Sequence, residues 1–556
     1  MTRGKHALLL GLVFLLIYLT PLATHPLLEP DEGRYAEIPR EMIESGDYVT
    51  PRLNYVHYFE KPALLYWLNA LSFKVFGENE FAARFPNALA ALGGIAVTGL
   101  LASTLLGARC GLIAAVVLGT SLLYFAIGTI NLTDMPLSFF LTLTMASFYA
   151  AVRSGRRGYW LLFYLGMGLA VLTKGLVGIV LPAGVVFWYV VLAKRDGKWN
   201  IIRQMFYLPG ILAFFILTVP WFYLVCRENP DFFHFFFVQE HFLRYATRVH
   251  DRYEPFWFFA PILLAGTMPW TGCLVGLLGK RGVLRSPDSP QMRDANLFLL
   301  LWAGVVFLFF SLSSSKLIPY IVPCLPPLSI LMAGNLERML RGSKGTAWPL
   351  RCCIVLNLLF AAALFAYALL GPALGRAEGL PIAAAVSAGL LSGGVLAWRA
   401  LAGGRDPKKA ILVLCIGALL FALGLQTVYL PMGRLRSARD VALTAAANRE
   451  PGRKIAVYGE ILHSVPFYAK ERVVLIDYLG ELSFGAAKAG ETEWFLSGGD
   501  FLAEWRSGVP YTLIVKKRRL ERLFPGGDID GAERIMDLGD YLVILNEAKK
   551  GEDHGL

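Results

Sequence analysis

About thirteen long apolar runs leave this chain essentially one kind of fold. The first, ALLLGLVFLLIYL over residues 7–19, holds no charged side chain. A backbone buried in hydrocarbon must satisfy its own hydrogen bonds, and a helix of about twenty residues does so. The runs lie near residues 7–24, 81–106, 110–128, 135–152, 159–173, 175–193, 206–226, 256–278, 295–312, 317–335, 349–370, 381–398 and 410–430. Hydrophobic residues make up 56% of the 556-residue chain and charged ones 17%. A polytopic α-helical membrane protein is therefore predicted. The formal net charge of +12 could fit a nucleic-acid partner. Its placement excludes one, because Lys and Arg gather in short loops between the apolar runs.

Those loops set the orientation. Basic residues fill alternate ones: Arg153, Arg156 and Arg157, then Lys194, Arg195, Lys198 and Arg203, then Lys280, Arg281, Arg285 and Arg293. The positive-inside rule then puts the N-terminus in the cytoplasm and, with an odd number of spans, the C-terminus outside. A cleaved signal peptide is the competing reading of the first run, but no A-x-A site follows it. The seven Cys fall in or beside predicted spans, where they read as small packing residues rather than a disulfide or metal framework.

Three segments fall outside the membrane. Residues 25–80 carry ten acidic and five basic side chains. In them Tyr35, Ile38 and Met42 recur at helical spacing among Glu37, Arg40, Glu41 and Glu44, as in an amphipathic helix lying on a membrane surface. KPALLYWLNALSFKVFG, from Pro62 into a helix that ends at Gly77, reads as a second interfacial helix. Residues 227–255 interleave aromatics with charges, as headgroup-level segments do. From 437 onward the composition becomes globular. KIAVYG, RVVLID, YTLIVKK and YLVILN read as strands of a small α/β domain, with a helix at SARDVALTAAANR. The chain thus divides into a membrane domain, 1–436, and an α/β domain, 437–556. Neither a P-loop nor a G-x-G-x-x-G follows a strand, so no nucleotide cofactor is expected.

Polar residues concentrate at the outer helix ends. Asp31 and Arg34 follow the first span, and Glu60 and Lys61 occur in YFEKP. Asp134 opens NLTDMP, Lys174 sits in LTKGL, His241 and Arg244 in QEHFLRY, and Lys316 and Tyr320 in SSSKLIPY. Each has a local reading: a helix cap for Asp31 and Asp134, a surface pair for Glu60 and Lys61, a snorkelling Lys174. His241 has an interfacial reading, Arg244 and Arg248 a lipid-headgroup one, and Tyr320 an aromatic-belt one. Together, at one depth, they point to a cavity that opens outward, since charges at membrane depth mark function. Lys61, Lys174, Arg34, Arg244 and Lys316 supply cations for a phosphate or pyrophosphate. Asp31 supplies a carboxylate for an attacking hydroxyl. Glu60 with His241 could hold a divalent ion. No H-E-x-x-H, G-x-S-x-G or Cys–His pairing supports a hydrolase. A transporter of lipid-linked sugar would place its charges near the midplane and break its helices there.

EPDEGRYAEIPREMIESGDYVTPRLNYVHYFEKPALLYW resembles the first external loop of the lipid A aminoarabinose transferases, with NLTDMP, TKG and KLIPYIVP as further matches. That family belongs with the protein O-mannosyltransferases among the polyprenyl-phosphate-dependent GT-C glycosyltransferases. The resemblance runs over the whole chain. It implies about thirteen spans with a periplasmic α/β domain. It also implies transfer of a sugar, aminoarabinose by analogy, from undecaprenyl phosphate at the periplasmic face of the bacterial inner membrane. The implied acceptor is lipid A, another glycan, or a protein Ser or Thr. The family's pattern places Asp31 near the acceptor, with Arg34 and Tyr35 completing its motif. It places Glu60 and His241 at a divalent metal (Zn, or Mg or Mn), and Lys61 and Arg244, or the nearby Arg248, at the lipid phosphate. Asp134, Lys174 and Tyr320 match further cavity residues. Where the family often has K-P-P, this chain has Lys61-Pro62-Ala63.

Overall fold

The computed structural model describes residues 2–193, 198–243, 254–279, 289–341, 347–371, 375–403, 406–526 and 529–547. They form two compact units. One comprises Met1–Thr24 with Arg84–Pro431, the other His25–Ala83 with Met432–Leu556. The expected single 1–436 domain is corrected by this division. The 25–83 segment packs with the C-terminal segment, because Leu27, Ala36, Phe73, Ala82 and Ala83 share an apolar cluster with Phe467.

The first unit is helical. Among the described residues nine helices are long and apolar enough to cross a membrane, or ten if Ala108–Gly119 and Leu122–Gly128, bent by 68°, count as one. The bend falls at Thr120 and Ser121. Their hydroxyls turn back onto Val116 and Val117 carbonyls, and Trp270 Nε1 donates to Thr120 Oγ1 at 2.9 Å. Side-chain bonds of this kind relieve the backbone groups that a broken helix exposes. The run at 256–278, expected as one span, is instead two short helices, Phe259–Gly266 and Thr271–Gly276. Pro269 lies between them and has no N–H to continue the ladder.

The second unit is a six-stranded sheet with helices. Strand β1 (Arg52–Leu53) pairs with β2 (Val56–His57) as a small separate ribbon. The main sheet is built from β3 (Lys454–Tyr458), β4 (Val473–Ile476), β5 (Phe495–Leu496), β6 (Tyr511–Lys516), β7 (Ala532–Leu538) and β8 (Tyr541–Asn546), in the order β5-β4-β3-β6-β8-β7. Strands β5, β4, β3 and β6 run parallel, and β8 and β7 are antiparallel additions. Central β4 is buried along its whole length and β3 and β6 at all but one end residue. Parallel strands covered on both faces require that continuous apolar pattern. β7, at the edge, is largely exposed and carries Glu533, Arg534 and Asp537, as edges that must not pair further do.

The helix predicted around Tyr35 spans Asp31–Ser45. The expected exposed polar face is corrected: Glu37, Arg40 and Glu41 are as buried as Ile38 and Met42. The helix is covered by Leu64–Phe76, Ser464–Ala469 and β1. Its charges are satisfied internally. Arg40 donates to both Glu37 oxygens at 2.7 and 2.6 Å and to Glu44 at 2.7 Å. The second helix of this segment, Leu64–Phe76, ends at Gly77 as its sequence predicts.

Candidate functional site

In the α/β unit the EPDEGRY segment is fixed residue by residue. Glu29 accepts the N–H groups of His463 and Ser464 at 3.0 and 2.7 Å and the Ser464 hydroxyl at 2.5 Å. A carboxylate here completes the exposed N–H groups that open the Ser464–Ala469 helix. Burial still pushes the Glu29 pKa above the usual glutamate value, against the pull of His463 and Ser464. Glu32 accepts the Leu28 N–H at 3.0 Å. Gly33 lies so close to the 463–464 backbone that a Cβ would come within 2.5 Å of Ser464 N. Asp31 opens the helix with its side chain 49% exposed, and no capping bond is made there.

Arg34 is buried between carboxylates and rings. Its Nε lies 2.7 Å from Glu481 Oε1, and its Nη1 lies 3.4 Å from Asp31 Oδ1. The guanidinium carbon is 5.7 Å from the centre of the Tyr35 ring and 5.9 Å from that of Tyr58. Burial disfavours its charge, yet Tyr58, Glu481, Tyr35 and Asp31 hold its pKa well above the usual arginine value. Tyr35 and Tyr66 rings stand 6.2 Å apart. Lys61 donates to its neighbour's carbonyl, Glu60 O, at 2.8 Å and lies 3.8 Å from the Glu60 carboxylate.

The helical unit gathers a second set. Asp134 is the first residue of Asp134–Ser154, and Lys174 the last of Arg157–Lys174. An acid at a helix start and a base at a helix end both suit the macrodipole. Asn87 donates to the Ile130 and Leu132 carbonyls at 2.8 and 2.6 Å, holding the NLTD turn in place. Lys174 Nζ reaches Asp134 Oδ1 at 2.5 Å and stands 4.4 Å over the Tyr320 ring. Lys316 donates to the carbonyls of Glu254 and Ser313, both at 2.7 Å, which commits two of its three N–H groups to the backbone. Arg244 and Arg248 lie outside the described residues. His241 lies on the π-helical turn His234–Leu243, and its side chain is likewise outside them.

Asp31, Arg34, Tyr35, Glu60 and Lys61 thus fall in one unit, and Asp134, Lys174, Lys316 and Tyr320 in the other. Residues that the sequence does not single out complete the first set: Glu29, Tyr58, Tyr66, His463 and Glu481. Tyr58 and Tyr66 are buried, each with a hydroxyl that has no hydrogen-bond partner among the described residues.

Spans of apolar helix with an α/β unit, and ionised side chains concentrated at helix ends, define a polytopic membrane protein. Residues 5–236 match the dolichyl-phosphate-mannose-protein mannosyltransferase family, and 441–527 match the aminoarabinose transferase C-terminal domain. The undecaprenyl phosphate-alpha-4-amino-4-deoxy-L-arabinose arabinosyl transferase of Aeromonas hydrophila is 37% identical over 375 residues, 65% of this chain and 66% of that one. Its namesake in Aeromonas salmonicida is 36% identical over 61% of each chain. These alignments span just under two thirds of the curated relatives' length. The structure of ArnT from Cupriavidus metallidurans bound to undecaprenyl phosphate is similar over 99% of both chains, with a TM-score of 0.83 and 29% identity. An archaeal oligosaccharyltransferase from Archaeoglobus fulgidus shares the fold alone, at a TM-score of 0.52 and 14% identity over 97% of this chain and 74% of that one. The chain is thus similar over its whole length to the aminoarabinose transferase ArnT, a GT-C glycosyltransferase, and over residues 5–236 to the protein mannosyltransferases.

Proposed function

We propose that this chain transfers a sugar, 4-amino-4-deoxy-L-arabinose, from undecaprenyl phosphate to lipid A or a related glycan at the periplasmic face of the bacterial inner membrane. The observation that carries the reading is the end-to-end likeness to ArnT, whose structure was determined with undecaprenyl phosphate. The alternation of basic loops supports a cytoplasmic N-terminus and a periplasmic C-terminal segment.

In such a transfer the bond between the sugar's anomeric carbon and the carrier phosphate oxygen breaks as the acceptor oxygen bonds to that carbon. The phosphate leaves with one more negative charge, so fixed cations near the leaving oxygen lower the barrier. Arg34, Lys61, Lys174 and one of Arg244 and Arg248 are each a candidate for that role, to be tested one substitution at a time. Lys174 suits it because Asp134 and Tyr320 hold its ammonium in one place. Asp31, half exposed, orients the acceptor. A lipid A phosphate oxygen is already anionic and needs no base, whereas a hydroxyl does. Tyr35 supports Arg34. Lys316 holds the backbone that leads into the Tyr320 turn.

For a divalent ion the reading rests on Glu60 and His241. Among the described residues no three His, Cys, Asp or Glu side chains gather as a metal site, and Glu60 has an ammonium 3.8 Å away. No step above is routed through an ion. Metal content of the purified protein, wild type against His241→Ala, tests that part alone.

The match over residues 5–236 favours a second reading, transfer to a protein Ser or Thr. Mass spectrometry of lipid A from cells with and without the protein separates the two. Aminoarabinose on lipid A phosphate is expected only when the protein is present. Unchanged lipid A beside altered periplasmic glycoproteins would sink the first reading.

A further inference from the structure

An open α/β sheet takes its ligand outside the carboxyl ends of its parallel strands, at the point where the strand order reverses. Here that point lies between β3 and β6, the neighbours from which the sheet grows in opposite directions. The loops at this edge hold the chain's own N-terminal segment. His463 follows β3 and Glu481 follows β4. Glu481 Oε1 lies 2.7 Å from Arg34 Nε and 2.8 Å from His463 Nε2. Glu29 is bonded to the same His463 and Ser464 backbone. Gly33 allows Ser464 to approach as closely as it does. Three separate contacts therefore dock EPDEGRY on the strand edge where such a domain would otherwise hold a ligand.

Arg34 gains most from this. A free arginine side chain has many rotamers and could meet a phosphate in many poses. This one is only 6% exposed, against a Glu481 that is 16% exposed. The pair is thus unlike the solvated surface bridges that contribute nothing measurable. Asp31 holds the guanidinium at a second corner, and the Tyr35 and Tyr58 rings flank it.

We propose that Glu481, backed by His463, is a positioning residue for the transfer, fixing the Arg34 guanidinium in the pose that meets the carrier phosphate. This gives the α/β domain a positioning part in the transfer, and it rests on the assignment of Arg34 to that phosphate. Glu481 acts through Arg34 and touches no substrate itself.

The test uses the full-length purified enzyme in lipid nanodiscs, with undecaprenyl-phosphate-linked sugar as donor and lipid A as acceptor. Glu481→Gln keeps the side chain's shape and removes its charge. It is expected to lower kcat/KM for the donor by on the order of 10²-fold, as a misplaced catalytic contact does. The KM for the acceptor should stay put, while Tm falls because the buried Arg34 charge loses a partner. The double variant Arg34→Gln with Glu481→Gln should lose no more than Arg34→Gln alone, because the two act as one unit. Glu481→Asp, which keeps the charge, should recover part of the loss. A merely structural Glu481 would lose activity only in step with the yield of folded enzyme, leave kcat/KM per folded molecule unchanged and add its losses to those of Arg34→Gln, and that result overturns the proposal. An inactive Arg34→Gln beside a fully active Glu481→Gln also overturns it, while leaving the assignment of Arg34 intact. Full activity in both variants removes the proposal and that assignment together.

Discussion

Lys174 Nζ sits 2.5 Å from Asp134 Oδ1, joining the end of one helix to the start of another. Both side chains are about nine-tenths buried, at 10% and 9% exposure. Removing one partner of a buried pair strands the other charge, at a cost of about 3–5 kcal/mol. Lys174→Ala and Asp134→Asn are therefore each expected to lower Tm. The double variant Asp134→Asn with Lys174→Met removes both charges and should regain most of that stability. Transfer should not return with it, because the ammonium proposed to meet the carrier phosphate is still missing. Thermal unfolding and a transfer assay on the same three preparations separate the two roles. A double variant that is both stable and active would remove Lys174 from the site.

Gly33→Ala offers a test of how EPDEGRY is docked. On an exposed helix the change would stabilise by about 1 kcal/mol, since alanine has the higher helix propensity. Here the new Cβ would stand 2.5 Å from Ser464 N and 2.9 Å from His463 C, both backbone atoms that cannot rotate away. Overpacking against a fixed wall costs about 1–3 kcal/mol, which outweighs the propensity gain. A lower Tm and faster proteolysis near residue 30 are expected. An unchanged or raised Tm would mean that the 463–464 loop yields.

Much of this arrangement is legible in the sequence, for reasons that differ by element. Asp134 and Lys174 stand out because each interrupts an apolar run, although nothing in the spacing shows that they pair. KIAVYG, RVVLID and YTLIVKK announce strands because parallel strands buried on both faces need unbroken apolar runs, and antiparallel YLVILN does so by its own apolar run. The two-residue β5 and the polar edge strand β7 give no such signal. The Asp31–Ser45 helix misleads in its polar face. Its charges are buried because Arg40 and Glu37 satisfy each other, which periodicity alone cannot reveal. Glu29 and Glu481 escape notice for another reason. Their partners are more than four hundred residues away, and a single sequence carries no trace of such a contact.

Glu41 gives a pH dependence with a definite sign. It is buried, and that burial, with the neighbouring Glu37 carboxylate, raises its pKa well above the usual glutamate value of 4.5; Arg40 pulls the other way. The native protein therefore holds a proton that the unfolded chain releases. Stability from this group is complete below the unfolded value and is lost as pH rises toward the native one, at up to about 1.4 kcal/mol per pH unit. Measured against Glu41→Gln, which never ionises, the wild type should lose Tm progressively as pH rises from 5 upward. A Tm difference that is flat with pH would show that Glu41 is ionised in the native state.

Tyr58 and Tyr66 set stability and activity against each other. Their rings are fully packed, at 1% and 0% exposure, and their hydroxyls have no hydrogen-bond partner among the described residues. A buried hydroxyl without a partner costs about 1–3 kcal/mol. Replacing it with hydrogen removes that cost and leaves the ring contacts in place. Tyr58→Phe and Tyr66→Phe are thus each expected to raise Tm or leave it unchanged. The Tyr58 ring centre lies 5.9 Å from the Arg34 guanidinium carbon, and the Tyr66 ring stands 6.2 Å from that of Tyr35. If the hydroxyls serve the sugar or the carrier phosphate, transfer should fall as Tm rises. That combination is hard to obtain from a packing residue, for which activity follows stability. Paired Tm and kcat/KM measurements on the two variants decide it: a rise in Tm with full activity leaves both hydroxyls outside the chemistry, and a fall in Tm shows that each has a partner within the folded protein.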